Sequence, residues 1–558
     1  MYGKEITKEY ERWLELVKDE QLKDELLEMK DSDEAIIESF ASELSFGTGG
    51  LRGKLGVGTC KMNIYTVSRA TVGLAKYINK NGGYGVAIGY DTRKNSRLFA
   101  ERCAQILSCH GIKSYVYSSA LPTPMLSYAV RTLGLSAGIM ITASHNPAIY
   151  NGYKVYGADG CQITDTAACE ILDLIKKSDY FECENTVPFS MLLSDKTAEY
   201  ISEEVYKNYL SQVECCSMLH GDECDKSIKI VYTPLNGTGY KPVTDILKKN
   251  GYNNLATVSE QSDPDQNFTT CKKPNPELDE ALELGLLLSK KENADLLIAT
   301  DPDCDRVGVA IKDGNGYKRL TGNEVGLLLL DYILSQKKKH ETLKGNPVFI
   351  KTIVTTPLAE KIAKKYGVET KNVLTGFKYI GEQIGLLEKE GRSVDYVLGF
   401  EESCGYLGGT YVRDKDGVFA SLLVAEMTAY YKAKGIFTVE KLKEIYNTYG
   451  YCKDRLISYE FDSADRKSKI NEMMKKLRSQ DSKERLAFSD KKDYLDGIDG
   501  LPVSDVLSFT FADGDTMTVR PSGTEPKIKF YYYTIAENEE FCNEKMSELI
   551  KRIENYIF

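Results

Sequence analysis

Several kinds of segment are missing from this chain of 558 residues, and each absence excludes a class of protein. The longest apolar stretch covers residues 325–330, far short of the roughly 20 residues that cross a bilayer. Residues 1–30 are strongly charged and contain no apolar core of a secretory signal. We therefore expect a cytoplasmic protein with no membrane partner.

Cysteine is not scarce, but the spacings that bind metals are absent. The fourteen cysteines are scattered from Cys60 to Cys542, with no C-x-x-C pair and no paired cysteine and histidine of the zinc type. Cys215 and Cys216 are adjacent, which is not a ligand spacing. In a chain of this length the pattern indicates free thiols, many of them buried, in a reducing compartment.

Concentrated positive charge is also lacking. The formal net charge is −10 and the basic residues are dispersed, whereas a protein that binds nucleic acid needs a concentrated basic surface. Neither a Walker phosphate loop nor the G-x-S-x-G elbow of serine hydrolases occurs in the sequence. Small anionic substrates stay compatible with these absences, because a few cations in one cleft can dominate locally.

What the sequence does contain is the alternating pattern of several α/β domains. Its length exceeds what one hydrophobic core supports. The final segment differs, because charged helical stretches surround its two strand-like runs, which is typical of a small α+β domain. Short β-rich apolar runs, separated by helical patterns, predict strands at residues 86–89, 114–117, 137–141, 228–232, 294–299, 307–311, 348–350, 394–400, 506–511 and 528–534.

Three polar or glycine-bearing stretches predict the domain boundaries, near residues 215, 322 and 450. The first of the four domains begins with an added helical arm over about forty residues. In open α/β sheets the ligands bind at loops that follow the strands, so the chemistry is expected there. The predicted domains are residues 1–215, 216–322, 323–450 and 451–558.

The run D-P-D-C-D-R follows a predicted strand and carries three alternating carboxylates, Asp301, Asp303 and Asp305. On a tight loop they can direct three oxygens at one point, which suits a hard cation. An EF-hand is excluded, because its glycine and glutamate positions hold Arg306 and Lys312. The alternative is a solvated acidic turn, but crowded carboxylates without a cation repel one another. We predict one magnesium ion here.

Ser144 lies in the run T-A-S-H-N-P, again directly after a predicted strand. Taken alone, this serine fits a helix cap or a turn equally well. A Ser-His-Asp hydrolase is disfavoured, because adjacent Ser144 and His145 rarely face each other correctly. A phosphorylated Ser144 would instead supply anionic oxygens that complete the shell of the predicted magnesium ion.

Three further loops carry groups suited to a phosphorylated sugar. The run R-P-S-G-T-E-P-K, from Arg520, combines a guanidinium, hydroxyls and a glycine as phosphate-binding loops do, although a plain hairpin is the alternative. The run F-E-E-S-C-G pairs Glu401 with Ser403, which can hold sugar hydroxyls, although acidic loops are usually only solvated. A glycine-rich run at residues 45–53 contains Arg52 and is a possible anion loop.

As an ordered set, T-A-S-H-N-P, D-P-D-C-D-R, F-E-E-S-C-G and R-P-S-G-T-E-P-K resemble the active-site loops of the α-D-phosphohexomutase superfamily. The resemblance covers nearly the whole chain. The helical arm and the run at residues 46–53 are most similar to the long phosphoglucomutase/phosphopentomutase subgroup. The resemblance implies a heart-shaped architecture of three α/β domains with mixed sheets and a C-terminal α+β domain.

The resemblance also implies roles for individual residues. Ser144 is the phosphoserine, and it binds magnesium together with Asp301, Asp303 and Asp305. Lys415 is the first candidate for the catalytic base, on the condition that cations or burial lower its pKa. The other implied catalytic residues are Lys154, His145 and Arg52. The implied substrate-binding residues are Arg52, Arg306, Thr375, Glu401, Ser403, Lys415, Arg520, Ser522, Gly523 and Thr524.

The implied reaction interconverts α-D-glucose 1-phosphate and glucose 6-phosphate, with glucose 1,6-bisphosphate as intermediate and activator. Mannose and pentose phosphates, or synthesis of the bisphosphate, are alternatives on the same scaffold. The sugar loop differs from the shorter G-E-x-S-G-H form of phosphomannomutases because it has no histidine after Gly405, and this disfavours mannose as the substrate. The rivals from other classes are a sugar-phosphate phosphatase and a non-catalytic carbohydrate-binding protein. Asn236 stands where related sequences more often have histidine, and the sequence assigns it no role.

Overall fold

The computed structural model describes residues 3–47, 49–183, 185–461, 466–522 and 527–558, with the backbone alone for residues 466 and 467. Within these ranges the chain forms four sheets, each with its own helices, preceded by a helical arm. None of the described helices is long and apolar enough to span a membrane.

The helical arm packs on the first sheet domain through aromatic side chains. Trp13 is fully buried, and its ring meets those of Phe40, Tyr65 and Tyr180 edge-on at centroid distances of 5.3–5.6 Å. Edge-on pairs of this kind stabilise beyond the area they bury. The helices of the arm are α1 (Lys4–Leu16), α2 (Glu20–Glu28) and α3 (Asp33–Phe40).

The first sheet positions the serine loop. Its elements are β1 (Gly50–Lys54), α4 (Ile64–Lys80), β2 (Val86–Tyr90), α5 (Ser96–Cys109), β3 (Ser114–Val116), α6 (Thr123–Thr132), β4 (Ala137–Ile141), β5 (Tyr150–Gly157), α7 (Asp165–Lys176), α8 (Phe189–Ser194) and β6 (Ala198–Tyr200). The strand order is β1-β5-β4-β2-β3-β6, with β4, β2, β3 and β6 parallel and β1 and β5 antiparallel. Every residue of β4 is buried, so the loop that begins at Thr142 starts from a fixed strand end.

The second sheet positions the loop of three aspartates. Its elements are α9 (Glu203–Glu214), β7 (Ile230–Thr233), α10 (Tyr240–Lys249), β8 (Leu255–Thr257), α11 (Ser259–Ser262), α12 (Asp279–Glu292), β9 (Leu296–Thr300), β10 (Val307–Asp313) and β11 (Gly316–Leu320). The order is β11-β10-β9-β7-β8, with β7 parallel to β8 and β9, and with β9, β10 and β11 antiparallel. Thr300 pairs with Val307, so the six residues between them form a tight connection.

The third sheet positions the predicted sugar loop. Its elements are α13 (Gly322–Lys339), β12 (Val348–Thr352), α14 (Leu358–Lys365), β13 (Glu369–Val373), α15 (Phe377–Lys389), a 3-10 helix (Ser393–Asp395), β14 (Tyr396–Glu401), β15 (Gly405–Leu407), α16 (Gly417–Ala433) and α17 (Thr438–Tyr449). The order is β13-β12-β14-β15, and only β15 is antiparallel. Glu401 ends β14 and pairs with Gly405, so Ser403 lies in the turn between the two strands.

The fourth sheet is wholly antiparallel, in the order β16-β20-β19-β18-β17. One face packs against helices around buried residues that include Phe509, Val519 and Phe530. The elements are β16 (Tyr451–Glu460), α18 (Arg466–Arg478), α19 (Asp481–Leu486), β17 (Phe488–Asp493), 3-10 helices (Tyr494–Asp496 and Ile498–Gly500), β18 (Leu507–Phe511), β19 (Thr516–Pro521), β20 (Lys527–Ala536) and α20 (Glu539–Ile557).

The fold class predicted from the resemblance is confirmed, with mixed sheets in the first three units and an α+β unit at the end. Each strand predicted from an apolar run is present, and its ends differ from the prediction by at most a few residues. All fourteen cysteines are free and most of them are buried, as predicted. The domain boundaries near residues 215, 322 and 450 stay predictions.

Asp454, at the start of the fourth sheet, makes stability depend on pH. Burial, reinforced by the charge of Glu324, raises its pKa to about 6. The folded chain therefore binds this proton more tightly than the unfolded chain does, so the contribution of Asp454 to stability falls as pH rises through about 6. We expect Asp454→Asn to raise the melting temperature relative to wild type more at pH 8 than at pH 5.

The comparison of melting curves at the two pH values needs a matched control. Asp490 is an exposed residue of the same sheet, so Asp490→Asn should change the melting temperature little and equally at both pH values. The prediction fails if the effect of Asp454→Asn is the same at pH 5 and pH 8.

Candidate active site

The three aspartates of the β9–β10 connection converge at one point. Asp301, Asp303 and Asp305 are almost completely buried, and each offers an oxygen within 4.8 Å of the others. Among the described residues, Oδ1 of Asp303 and Oδ1 of Asp305 accept no hydrogen bond, and Oδ2 of Asp305 faces the ammonium groups of Lys415 and Lys154. Buried carboxylate oxygens left without donors fit a divalent cation, which accepts such ligands.

The backbone of this loop is held in place by its first aspartate. Oδ1 of Asp301 accepts the N–H groups of Asp305 at 3.1 Å and Arg306 at 3.0 Å. Cys304 has a φ of 50°, and its N–H donates to the carbonyl of Asp301 at 2.9 Å. Because the loop folds back on Asp301, the second and third carboxylates point to the same side.

Ser144 lies directly against this loop although it comes from another sheet. Its hydroxyl donates to Oδ2 of Asp301 at 2.8 Å, and Nδ1 of His145 lies 3.2 Å from the same Oγ. The serine has a φ of 50°, and its N–H donates to Oγ1 of Thr142 at 2.8 Å. The structure therefore brings the predicted phosphoserine to the predicted metal loop.

Two lysines complete the acidic centre. Nζ of Lys154 lies 2.9 Å from Oδ2 of Asp303 and 3.6 Å from Oδ2 of Asp305. Nζ of Lys415 lies 2.9 Å from Oδ2 of Asp305 and 3.3 Å from Oδ1 of Asp414. Both ammonium groups are thus held by buried carboxylates of or beside the metal loop.

Lys415 was predicted to act as the base on the condition that its pKa is lowered, and this condition is not met in this arrangement. Burial by itself would lower its pKa, but the charges of Asp305 and Asp414 outweigh burial and raise it. The pKa of Lys154 is raised in the same way, because Asp303 and Asp305 outweigh burial. The sequence could not show this, since Asp303 and Asp305, unlike the neighbouring Asp414, are distant from the lysines along the chain.

His145 differs from the lysines in the direction of its shift. Burial, followed by the positive charges of Arg306 and Arg52, holds its pKa well below the ordinary value. Its ring is therefore neutral at pH 7 beside Ser144. Arg52 is on the adjacent edge strand, where it pairs with Gly152, and donates to Oδ1 of Asn146 at 3.1 Å.

Arg306 is paired with a residue that the sequence reasoning missed. Its Nη1 lies 2.6 Å from Oε1 of Glu277, and its Nε lies 3.9 Å from Oδ1 of Asp305. Burial opposes its charge, but Glu277 and Asp305 outweigh burial and raise its pKa. Glu277 precedes α12 and carries no local signal, so only the folded chain shows the pair.

The predicted sugar-binding residues lie together on the third sheet. Glu401 is buried and accepts the N–H of Gly376 at 3.1 Å. Burial, with the charge of Glu402, raises the pKa of Glu401 to about 7. The buried hydroxyl of Thr375 finds no hydrogen-bond partner among the described residues. Ser403 is half-buried in the following turn. Thr375 and Glu401 therefore meet through the backbone of Gly376.

Arg520 extends from the fourth sheet to the same region. It lies on β19, paired with Lys529 of β20, and the N–H of Ser522 donates to the carbonyl of Lys527 at 2.8 Å. Burial raises the pKa of Glu402, and the positive charge of Arg520 opposes this rise. Arg520 is therefore close to the predicted sugar loop. Gly523 and Thr524 lie outside the described residues.

Thr123 is a second contact that the sequence reasoning missed. At the start of α6, its hydroxyl donates to Oδ2 of Asp303 at 3.0 Å and its N–H to the carbonyl of Asp303 at 2.9 Å. The first domain thus holds the metal loop of the second through hydrogen bonds. The useful signal was the position of Thr123 shortly after the strand predicted at residues 114–117, because ligand-binding groups follow the strands of open α/β sheets.

Asn236, which the sequence left without a role, fixes a supporting loop. It has a φ of 58°, is buried, and donates through Nδ2 to the carbonyls of Asp263 at 2.8 Å and Glu260 at 3.2 Å. Its Oδ1 accepts the hydroxyl of Thr270 at 3.1 Å. In the described contacts its side chain holds the loop after β7 rather than the acidic centre.

Comparison with protein families identifies the class to which this arrangement belongs. The chain matches four domain models of the phosphoglucomutase/phosphomannomutase family: α/β/α domain I over residues 43–182, domain II over 204–315, domain III over 321–449 and the C-terminal domain over 465–536. The chain therefore belongs to the phosphoglucomutase/phosphomannomutase family.

Its relatives include curated bacterial enzymes. The chain is 36% identical over 536 residues to the phosphoglucomutase of Staphylococcus haemolyticus (strain JCSC1435), covering 93% of this chain and 94% of that protein. It is 35% identical over 569 residues to the phosphoglucomutase of Staphylococcus aureus (strain USA300), covering 99% and 100%. Parafusin from Paramecium, a phosphoglucomutase solved in its open form, shares the fold with a TM-score of 0.69 at 18% identity, over 92% of this chain and 95% of that one.

Proposed function

We propose that this chain is a magnesium-dependent phosphoglucomutase that interconverts α-D-glucose 1-phosphate and glucose 6-phosphate. The observation that carries the proposal is the 2.8 Å contact between Oγ of Ser144 and Oδ2 of Asp301. It joins a nucleophile-bearing loop to a cation site in a chain that is 35% identical to curated phosphoglucomutases over nearly its whole length.

In the proposed cycle, phosphorylated Ser144 transfers its phosphoryl group to a free hydroxyl of the sugar phosphate. The product is glucose 1,6-bisphosphate, which reorients and returns its other phosphoryl group to Ser144. Each transfer breaks one P–O bond and forms another, while one proton moves between the sugar hydroxyl and the serine oxygen. The cycle consumes no phosphate, so its net result is isomerisation.

Asp301, Asp303, Asp305 and a phosphate oxygen on Ser144 would hold the magnesium ion. When bound, the ion supplies positive charge that stabilises the negative charge on the transferring phosphoryl group. Arg306 would supply a second positive charge to the same region, with its guanidinium held by the ion pair to Glu277. Preorganised charges of this kind are the principal means by which proteins stabilise phosphoryl transfer.

The proposed proton carriers are Lys415, Lys154 and His145. Both lysines are held charged by carboxylates, and added positive charge at those carboxylates would act against the rise in pKa. His145 is already neutral, with Nδ1 3.2 Å from Oγ of Ser144. The geometry therefore supports His145 as the group that exchanges a proton with the serine oxygen, and the lysines are proposed to do so with the sugar hydroxyl.

The remaining residues are proposed to select and orient the sugar. Glu401, Ser403 and Thr375 would bind ring hydroxyls, because a buried carboxylate and an unpartnered hydroxyl favour a ligand that donates and accepts hydrogen bonds. The phosphate that is not reacting would be bound by Arg520, Ser522, Gly523 and Thr524, with Arg52 near the reacting one. The bisphosphate must present either end to Ser144, so this second phosphate site lies on a separate domain.

The deciding experiment compares kcat/KM for the 1-phosphates of glucose, mannose, glucosamine and ribose, with magnesium and trace glucose 1,6-bisphosphate. We expect glucose 1-phosphate to exceed the others by at least about 10-fold, the discrimination available from a few hydrogen bonds. A preference for mannose or ribose would replace the glucose assignment with one of the alternatives. Stoichiometric release of inorganic phosphate would indicate the phosphatase, an alternative that the relatives do not support.

A further inference from the structure

A buried arginine, Arg93, holds the backbone of the serine loop through hydrogen bonds. Arg93 follows β2, the strand that pairs with β4, and is 3% exposed. Its guanidinium donates to four backbone carbonyls of the loop: those of Ser144 and Asn146 through Nη2, and those of Pro147 at 2.9 Å and Tyr150 at 3.2 Å through Nη1. A planar fork with several donors suits this task, whereas a lysine ammonium does not.

Asp91 links this arginine to the backbone of the serine itself. Its Oδ2 lies 3.2 Å from Nε of Arg93, and both side chains are fully buried. The same oxygen accepts the hydroxyl of Thr142 at 2.6 Å, and Oγ1 of Thr142 accepts the N–H of Ser144 at 2.8 Å. We call Asp91, Arg93 and Thr142 the Arg93 network. It grips Ser144 on both its N–H and its carbonyl.

The second domain covers the Arg93 network and joins it to the metal loop. The ring of Phe268, which is fully buried, lies 4.9 Å from Cζ of Arg93, and the hydroxyl of Thr92 donates to the carbonyl of Asn236 at 2.9 Å. Two residues on, the N–H of Thr238 donates to the carbonyl of Pro302, inside the metal loop, at 2.8 Å. One set of contacts therefore spans from the support of Ser144 to the aspartates.

We infer that Arg93 is a positioning residue that sets Oγ of Ser144 relative to Asp301 and so controls the rate of phosphoryl transfer. The inference rests on the proposed mutase reaction and deepens it. Ser144 has a φ of 50°, a conformation that serine retains only where its surroundings impose it. Four carbonyl contacts and one N–H contact impose it here.

The inferred role differs from ordinary support of the fold in what it predicts for kinetics. A displacement of about 1 Å in a reacting group costs about 10²-fold in rate. Of the residues proposed to bind sugar and distal phosphate, those that the structure describes lie on the third and fourth sheets or their loops, and none of them is among the described partners of Arg93. Loss of the network should therefore lower kcat while KM for glucose 1-phosphate changes little.

The test uses Arg93→Lys together with the pair Thr142→Val and Thr142→Ser. Arg93→Lys keeps a positive charge beside Asp91 but cannot reach four carbonyls, so we expect kcat to fall about 10²-fold with KM within about 3-fold of wild type. Thr142→Val removes the link to the Ser144 N–H and should lower kcat about 10-fold. Thr142→Ser restores the hydroxyl and should return kcat to within about 3-fold of wild type.

A matched control is Arg97→Lys, because Arg97 is an exposed arginine on α5 paired only with Glu101 in the described ion pairs. It should leave kcat unchanged. A second readout is the fraction of Ser144 phosphorylated after incubation with glucose 1,6-bisphosphate, measured by intact-protein mass spectrometry. We expect this fraction to reach the wild-type value more slowly in Arg93→Lys, in proportion to kcat.

The inference is overturned if Arg93→Lys keeps kcat within about 3-fold of wild type, the range set for the control. If Arg93→Lys does not fold, the Thr142 pair decides, and equal kcat values for the valine and serine variants overturn the inference. Failure of the proposed function is distinguishable, because wild type itself would then not convert any of the sugar phosphates. In that case the phosphorylation rate of Ser144 in wild type and Arg93→Lys decides between positioning and ordinary support.

Discussion

Ser144→Ala is expected to abolish turnover of glucose 1-phosphate, with kcat at least about 10⁴-fold below wild type. The hydroxyl oxygen is the atom to which the phosphoryl group would be bonded between the two half-reactions, and no described residue offers a second nucleophile at Asp301. His145, whose Nδ1 lies 3.2 Å from that oxygen, is proposed to carry a proton and not the phosphoryl group. The alanine variant should also remain unphosphorylated after incubation with glucose 1,6-bisphosphate.

The control for this variant is Ser194→Ala, an exposed serine whose hydroxyl donates only to the carbonyl of Ser190 within α8. It should retain wild-type kcat and show phosphate at Ser144. The circular dichroism spectrum of Ser144→Ala should match that of wild type, and its melting temperature should fall slightly, because the buried carboxylate of Asp301 loses the donor hydroxyl. Full turnover by Ser144→Ala would exclude every mechanism that passes through this serine.

Much of the fold could be predicted because its strands are short, buried and separated by clear loops. β4 and β9 are buried along their whole length, so each reads as a continuous apolar run and can be placed to within a few residues. Strand order could not be predicted. The pairing of β4 with β2 rather than with β3, its neighbour in the sequence, depends on packing between distant segments.

The candidate site divides in the same way between local and distant information. The spacing of Asp301, Asp303 and Asp305 predicts a metal site from the sequence alone, and the position of Ser144 after a predicted strand makes it a candidate site residue. Arg93 had a weaker signal, a charged pair D-T-R at the end of a buried strand beside the serine strand. No comparable signal marked Glu277, which meets Arg306 only in the folded chain.

The direction of a pKa shift is the kind of property that the sequence does not contain. Lys415 was predicted to be the base on the condition that nearby cations or burial lower its pKa. Burial does act in that direction, but Asp305 of the second sheet and Asp414 beside it outweigh burial. The sum depends on the 2.9 Å distance between Nζ of Lys415 and Oδ2 of Asp305, which exists only after the two domains have packed.

The crowding of the three aspartates gives the second large effect. Asp301, Asp303 and Asp305 are nearly inaccessible to solvent and offer oxygens within 4.8 Å of one another. Two lysines offset part of this charge, at Asp303 and Asp305, but Asp301 has no lysine partner among the described ion pairs. The repulsion therefore falls most heavily on Asp301, although its Oδ1 is also needed to hold the loop.

Asp301→Asn is therefore expected to separate metal binding from stability. The amide keeps the oxygen that accepts two backbone N–H groups and removes one repelling charge, so without magnesium the variant should melt at or above the wild-type temperature. Wild type should gain stability with magnesium, about 2.7 kcal/mol at a concentration 100 times Kd. The variant should gain almost no stability from magnesium and lose at least about 10³-fold in kcat, since it lacks one anionic ligand.

The control is Asp313→Asn, a change at an exposed residue at the end of β10, and it should retain the full magnesium effect. A magnesium-dependent rise in melting temperature that persists in Asp301→Asn would remove this aspartate from the metal site, and a variant that melts below wild type in chelator would show that its charge is not a source of strain.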